Sequence, residues 1–544
     1  MTSDTPGPTT LEKLRVPLLG LLIAVLFLQL FVGLDDISIT WDEHAFIPAG
    51  YSYVATGDFR LNREQPPGMK LLFGLPGLWL DPVVPTDHPT WIAAEEQPNA
   101  QWAYGRHFLT EANDDGPQLI HAARLPVLVL TCLLAALVYL WARALYGTLA
   151  GLLAAGLVAT SPNLIAHGHL ATTDMGLTVF VFLAAFAYWR YLDEPSPLRA
   201  ALAAGALALG LVAKFSGVFL LPLIGLWTVA SPWFERKDGE PIGDAYRRRL
   251  RAIGPGTLAI LAGGVLLASF FYFAPGRIDL YFRDMAQVGF NVNPDAQSYL
   301  LGEFKEGRFW NYFLVAFLVK TPVATLALLA LRLAFGPRHA GERRMDLLFL
   351  LAPIAVFFFV ISWKAQNIGL RYILPIYPFL FVYASGIVRT PLFTRKVAAR
   401  AAVGLLAAYS VVTAARAYPH HLSYFNDAVG GPSQGIRYLS NSNVDWGQDF
   451  IRLRQYIERR GLENVRFLYS TAFDPGLYDL DVQPIRNPEP IVRRVPGVYV
   501  VGIKEAHRAR WKNPQGEIQY FLDAVEPTDR IAHSLLVYEI PDER

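Results

Sequence analysis

The sequence predicts an α-helical integral membrane protein with about eleven transmembrane helices, a long polar loop after the first, and a small α/β domain at its C-terminal end. Three observations predict it. Of 544 residues, 53% are hydrophobic and only 17% charged, and the mean hydropathy is +0.29, whereas an ordinary soluble chain is about 25% charged. Apolar runs long enough to cross a hydrocarbon core recur along the first three quarters. The last quarter is polar, with helix and strand periodicities of a soluble fold.

The first run, Val16–Leu34, follows a short polar N-terminus carrying Lys13 and Arg15. No small-residue cleavage site follows it, so it is expected to be an uncleaved signal-anchor. The remaining spans fall at about 122–142, 147–163, 172–191, 199–214, 216–232, 254–274, 311–334, 347–363, 371–388 and 397–416. The fifth and sixth are short and parted only near Lys214-Phe215-Ser216-Gly217.

Orientation follows from short basic loops. With the N-terminus cytoplasmic, the inner connections hold Arg143; Arg190 and Arg199; Arg236 to Arg251; Arg332, Arg338, Arg343 and Arg344; and Arg389 to Arg400. The loops 35–121 and 275–310 and the tail from 417 then lie outside, on a multi-pass protein of the inner (plasma) membrane. Loop 35–121 is too long for a connector. It should form surface helices near Ile47–Thr56 and Gly68–Trp79, with Trp41, Trp91 and Trp102 at the interface. The units are therefore 1–416, a transmembrane domain, and 417–544, an extracytoplasmic α/β domain. In the latter a helix is expected at Asp449–Arg459 and strands at Val465–Tyr469, Gly497–Ile503 and Ser534–Ile540.

Composition excludes some functions. The net charge of +2 gives a nucleic-acid partner no electrostatic support. The single cysteine, Cys132, forms neither an internal disulfide nor a cysteine metal site. No P-loop or dinucleotide-binding glycine pattern is present.

The chemistry concentrates beyond the first span, at Trp41-Asp42-Glu43-His44. Adjacent acids there suit proton acceptance from an acceptor, or metal binding, where lipid meets water. Asp174 opens another span after Thr172 and Thr173. A carboxylate at mid-bilayer costs roughly 2.5–3.5 kcal/mol, so Asp174 should sit at a span end facing a cavity, where helix capping is also open to it. Arg124, Lys214, Lys364 and Arg371 lie on the same side; they suit either a phosphate or snorkelling to headgroups. His44, His88, His107, His121, His167 and His169 lie there too, without tight ligand spacing, so a divalent metal stays possible and its ligands unknown.

Trp41-Asp42-Glu43-His44-Ala45-Phe46, Gly57-Asp58-Phe59 and Glu64-Gln65-Pro66-Pro67-Gly68-Met69-Lys70 resemble the first lumenal loop of protein O-mannosyltransferases (glycosyltransferase family 39). In that family an Asp-Glu pair precedes a His-Pro-Pro-Leu-Gly-Lys-like motif; here Gln65 replaces the His, and Gly68-Met69 departs from Leu-Gly. Leu170–Asp174, Gly369–Pro378, Leu422–Pro432 and Ser442–Asp449 look like bacterial relatives. The resemblance implies the GT-C fold and a polyprenyl-phosphate-dependent glycosyltransferase. It implies transfer of a hexosyl or pentosyl group, with inversion, to a hydroxyl or phosphate of a protein, lipid or glycan acceptor.

It implies Asp42 as general base, Glu43 as a geometry-holding or acceptor-contacting acid, and Asp174 as an orienting one. Arg124 and Arg371, then Lys214 and Lys364, would hold the phosphate. Glu64, Gln65, Pro66, Pro67 and Lys70 would contribute to substrate binding. In Asp445-Trp446-Gly447-Gln448-Asp449, a turn and an N-capped helix explain Gly447 and Asp449, and glycan contact by Trp446 is the alternative. The competing function is a transporter or flippase of lipid-linked sugars, which predicts broken helices and midplane charges.

Overall fold

Every expected span coincides with an apolar helix or helix pair in the computed structural model, which describes residues 10–272, 278–290, 297–336, 342–469, 475–512 and 518–542. Among the described residues, eight helices are long and apolar enough to cross a membrane: Thr10–Val32, Gly116–Tyr146, Thr173–Asp193, Phe215–Phe234, Ile242–Phe270, Arg344–Lys364, Leu370–Arg389 and Val397–Ala417. Pro197–Ala213 is shorter. Two further spans are broken: Thr148–Ala159 with Pro162–Gly168, bent by 62°, and Tyr312–Lys320 with Val323–Phe335, bent by 109°.

Both breaks fall just before a proline, Pro162 or Pro322, whose ring removes a backbone donor and begins a new helix. The freed carbonyls need partners. Asn163 Nδ2 donates to the Lys320 carbonyl at 2.7 Å, joining one break to the other. Asn426 Nδ2 donates to the carbonyls of Leu318 and Thr321 at 2.7 and 2.9 Å. The buried Lys320 ammonium donates to the carbonyls of Leu422 and Asn443 at 2.9 and 2.5 Å. Residues 422–443 are thus seated in the bundle's mouth, and the sheet-bearing part of the tail starts at the helix Phe450–Arg460. The breaks and their buried lysine serve this docking.

In the first loop the helix Glu43–Thr56 is gripped between Pro67–Gly74 and Ala100–Thr110. The grip requires glycine. A Cβ on Gly74 would lie 2.0 Å from the Gly50 carbonyl oxygen, and one on Gly105 would lie 1.9 Å from that of His44. The interfacial position expected for three tryptophans is corrected for Trp91, which is buried in the core that the loop helices share with the bundle. Trp41 and Trp102 are half-buried, pack on each other at 5.2 Å and line the cavity described below.

The tail carries a five-stranded sheet in the order Gln483–Pro484, Arg466–Leu468, Gly497–Gly502, Leu535–Ile540, Asp529–Ile531. The first three strands are parallel and the rest antiparallel, with Val500 opposite both Phe467 and Val537. Consecutive burial of Tyr499, Val500 and Val501 shows that the central strand is covered on both faces.

The bundle has two chemically distinct ends. Helix Gly116–Tyr146 carries Arg124 near one end and Tyr146 at the other, roughly 33 Å apart at 1.5 Å per residue. Around Tyr146 gather the basic loops: Arg389 donates to its carbonyl at 3.1 Å, and Glu342 links its hydroxyl to Arg332. Arg338 and parts of loop 275–310 lie outside the described residues.

Candidate functional site

At the Arg124 end, a polar cavity of about 410 Å³ opens between the first loop, the bundle and the tail. Its floor is organised by a buried ion pair. Arg124 Nε and Nη2 fork onto Glu43 Oε1 and Oε2, both at 2.8 Å, and neither side chain is exposed. The remaining Arg124 donors reach the carbonyls of Ile37 and Ser38 at 2.9 and 3.0 Å. Glu43 also accepts from the Thr40 amide and hydroxyl at 2.9 Å each, and from the Ala171 amide at 2.7 Å. Burial opposes its ionisation, but the guanidinium and these donors outweigh burial and hold its pKa below the ordinary value. One expectation is corrected and another narrowed here. Arg124 is fully engaged and unavailable to a phosphate; of the two roles expected of Glu43, its burial leaves holding the geometry and not contact with an acceptor, and together the pair clamps residues 37–43 to the bundle.

The clamp leaves Asp42 at the N-cap of Glu43–Thr56 without a capping bond. Asp and its relatives usually cap there. Instead Asp42 lines the cavity, with Oδ2 accepting from Arg371 Nη1 at 2.6 Å. Oδ1 has no hydrogen bond among the described residues. Arg371 also reaches Asp174 Oδ2 at 3.3 Å and stacks 4.3 Å from the Trp446 ring, while its Nε has no partner among the described residues. Asp174 Oδ1 receives Lys214 Nζ at 2.6 Å. The buried Asp174 therefore anchors two cations, and both line the cavity.

Glu64 and Gln65 line the cavity as well. Burial raises the Glu64 carboxyl, against a 3.1 Å hydrogen bond from Gln101. Gln65 Oε1 is buried without a partner among the described residues. Pro66 and Pro67 start the helix Pro67–Gly74. Lys70 is corrected from a substrate ligand to a strut. It is wholly buried and bonds to the carbonyls of Asn62 and Gln65 and to Asn62 Oδ1, holding the chain between them. Lys364 is also corrected: it is exposed at the end of Arg344–Lys364 and does not line the cavity. Among the described residues no three His, Cys, Asp or Glu side chains are grouped to hold a metal ion. Of the six histidines of this side, His88 and His107 stack on each other at 3.8 Å, and among the described residues they belong to no group of three that could hold a metal ion.

The remaining wall comes from the tail. Trp41 N donates to the Trp446 carbonyl at 2.9 Å, Ser38 N to that of Gln448 at 3.1 Å, and Ser38 Oγ to that of Gly447 at 2.7 Å. Gly447 takes φ +97°, which glycine adopts without strain. Gln448 closes the turn by accepting from Trp446 N at 2.7 Å. Asp449 does not cap the next helix as expected; it bonds to Arg452, Gln448 and Ser534. The segment is thus a socket for the loop that carries Asp42. Sequence reasoning named Trp446 but missed Tyr372, Lys504 and Arg508, which also line the cavity.

A comparison with curated protein sequences finds no match. Among solved structures, the chain is similar to ArnT from Cupriavidus metallidurans in the apo state, at 14% identity and TM-score 0.48, over 95% of this chain and 97% of that one. It is similar to the same protein bound to undecaprenyl phosphate, at 13% identity and TM-score 0.48, over 96% and 99%. It is also similar to the Archaeoglobus fulgidus oligosaccharyltransferase in the apo form, at 12% identity and TM-score 0.49, over 98% and 77%. Residues 118–242, the stretch that carries Arg124, Asp174 and Lys214, match the model of the family described as dolichyl-phosphate-mannose-protein mannosyltransferase.

Proposed function

We propose that this protein is a membrane glycosyltransferase of the GT-C type. It moves a sugar from a polyprenyl-phosphate donor to an acceptor hydroxyl or phosphate on a protein, lipid or glycan, at the extracytoplasmic face of the plasma membrane. The observation that carries the reading is Asp42 in a membrane-end cavity, hydrogen-bonded to Arg371 with Lys214 beside it through Asp174. The family match over 118–242 supports the lipid-phosphate-sugar donor. The basic loops gathered at the opposite end support a cytoplasmic N-terminus and an extracytoplasmic tail.

For a hydroxyl acceptor, its oxygen attacks the anomeric carbon from the face opposite the phosphate, which inverts that centre. The new C–O bond forms as the sugar–phosphate bond breaks, and the hydroxyl proton passes to Asp42 Oδ1. The departing polyprenyl phosphate carries the electron pair and needs cations rather than a proton donor. Arg371 touches the base and lines the cavity. As Asp42 loses its negative charge to the proton, negative charge builds on the phosphate, and the same guanidinium stays neutralised throughout. Lys214 supplies the second positive charge.

The test uses purified enzyme in lipid, wild type beside Asp42→Asn, with a panel of polyprenyl-phosphate sugars and an envelope extract as acceptor. Release of free polyprenyl phosphate is read by mass spectrometry. The substitution keeps shape and removes the base, so turnover should fall by about 10²–10⁴-fold with folding intact. Wild-type turnover in a well-folded Asp42→Asn protein would end the assignment.

A further inference from the structure

The cavity walls from the first loop and the bundle have their tasks: Asp42 for the proton, Arg371 and Lys214 for the phosphate. The wall built by the tail has none. There Asp445 lines the cavity and is 98% buried, with relative exposure of 2%. Its Oδ1 accepts from the Tyr469 hydroxyl at 2.6 Å and from Gly447 N at 3.2 Å. Its Oδ2 is buried and has no partner among the described residues. Native proteins seldom leave a buried carboxylate oxygen unpaired, and such exceptions call for a ligand or a function.

The surroundings specify the ligand's chemistry. Lys504 Nζ lies 4.9 Å over the Trp41 ring, and Trp41 packs against Trp102. A rigid acceptor, a cationic donor and indole surface in one pocket match a ring with apolar C–H faces and a rim of hydroxyls, each hydroxyl both donating and accepting. An acyl chain would leave Asp445 unpaired. Position identifies which ring. Trp446, the next residue, covers the Arg371 guanidinium that receives the phosphate. A sugar joined to that phosphate through its anomeric carbon therefore extends toward Asp445, while the acceptor approaches from Asp42.

We propose that Asp445 is a specificity-determining residue. Its Oδ2 accepts a hydrogen bond from one ring hydroxyl of the sugar being transferred, with Lys504 donating to the rim beside it. This rests on the glycosyl-transfer reading above. Burial supports it further: it pushes the Asp445 carboxyl up to about 6, so the group carries a penalty that a hydroxyl donor would relieve.

The experiment compares full-length wild type, Asp445→Ala and Asp445→Asn in lipid nanodiscs. The donors are the polyprenyl-phosphate sugar that wild type turns over best and its singly deoxygenated analogues. Asp445→Asn keeps an oxygen for Tyr469 and Gly447 and replaces the free acceptor by a donor, so it serves where the alanine variant does not fold. Wild type should disfavour one deoxy donor by about 10- to 100-fold in kcat/KM. Both variants should lose a similar factor on the parent sugar and treat parent and deoxy donor within about threefold. If the variants discriminate as wild type does, or wild type discriminates against none of the analogues, Asp445 has no such role and the glycosyl-transfer reading stands. If wild type releases polyprenyl phosphate from no donor, that reading fails and takes this one with it.

Discussion

Replacing Arg124 by methionine separates a structural arginine from a phosphate ligand. The side chain makes two 2.8 Å bonds to Glu43 and two to the carbonyls of Ile37 and Ser38, with no exposed surface. Methionine fills much of the volume but leaves a buried carboxylate facing apolar atoms. Breaking one partner out of such a pair costs about 3–5 kcal/mol, because the other charge stays buried and unpaired. Glu43→Gln should destabilise for the converse reason. The double variant Glu43→Gln/Arg124→Met has no stranded charge, so its loss should fall short of the sum of the singles by at least about 2 kcal/mol. Denaturation of the full chain in mixed micelles, with the four proteins side by side, gives the cycle. A folded Arg124→Met protein of wild-type stability, whose only defect is a raised KM for the lipid donor, would refute the clamp and restore Arg124 to the phosphate.

Two further expectations follow from the same geometry. Lys214→Met should raise the donor KM by about 10-fold or more, since it removes a charge-assisted contact from the cavity, whereas Lys364→Met, outside it, should leave donor kinetics unchanged; equal effects in steady-state assays would contradict the placement. Asp445→Asn should stabilise the protein at neutral pH. Burial chiefly lifts this carboxyl from 3.8 to about 6, with Asp449 adding to the rise and Tyr469, Gly447 and Lys504 tempering it, while Glu505 stands nearby. Between these values the folded chain holds a proton that the unfolded chain has released, so wild-type stability falls as pH rises through that window and levels off above about 6. The variant escapes this penalty, so it should gain roughly 2–3 kcal/mol at pH 7.5 and almost nothing at pH 4. A melting-temperature difference independent of pH would refute the buried-carboxylate account.

Much of the bundle was legible because hydropathy reports burial in lipid directly. All eleven apolar runs became helices or helix pairs, and the prolines at 162 and 322 mark the two breaks. Asp42 stood out through its neighbours and the resemblance they carry. The roles of the cations were less legible. An arginine that faces a phosphate and one that faces a carboxylate 81 positions earlier look alike in sequence, so the sequence alone points Arg124 at the wrong partner. The same holds for Lys70, whose acceptors are largely backbone carbonyls that carry no sequence signature. Lys504 and Arg508 lie on a short helix after a strand, in no recognisable motif, and only the docking of the tail brings them to the cavity. Asp449 suits a cap by type and position, yet side chains claim both its oxygens: Arg452 takes Oδ1, and Gln448 and the distant Ser534 take Oδ2.

The socket that receives the first loop has a consequence for biosynthesis. Ser38 and Gly447 are 409 positions apart. At about 5–20 residues per second the ribosome makes Ser38 roughly 20–80 s before its socket. Throughout that interval the loop bearing Asp42 has its clamp partners Arg124 and Ala171 but not its socket, and the cavity lacks its far wall. The complete cavity therefore arrives as a late, near-terminal event of assembly, after the intervening spans are in place. A chain released after its last span but before Trp446 would carry the clamp around Asp42 without the socket that closes the cavity.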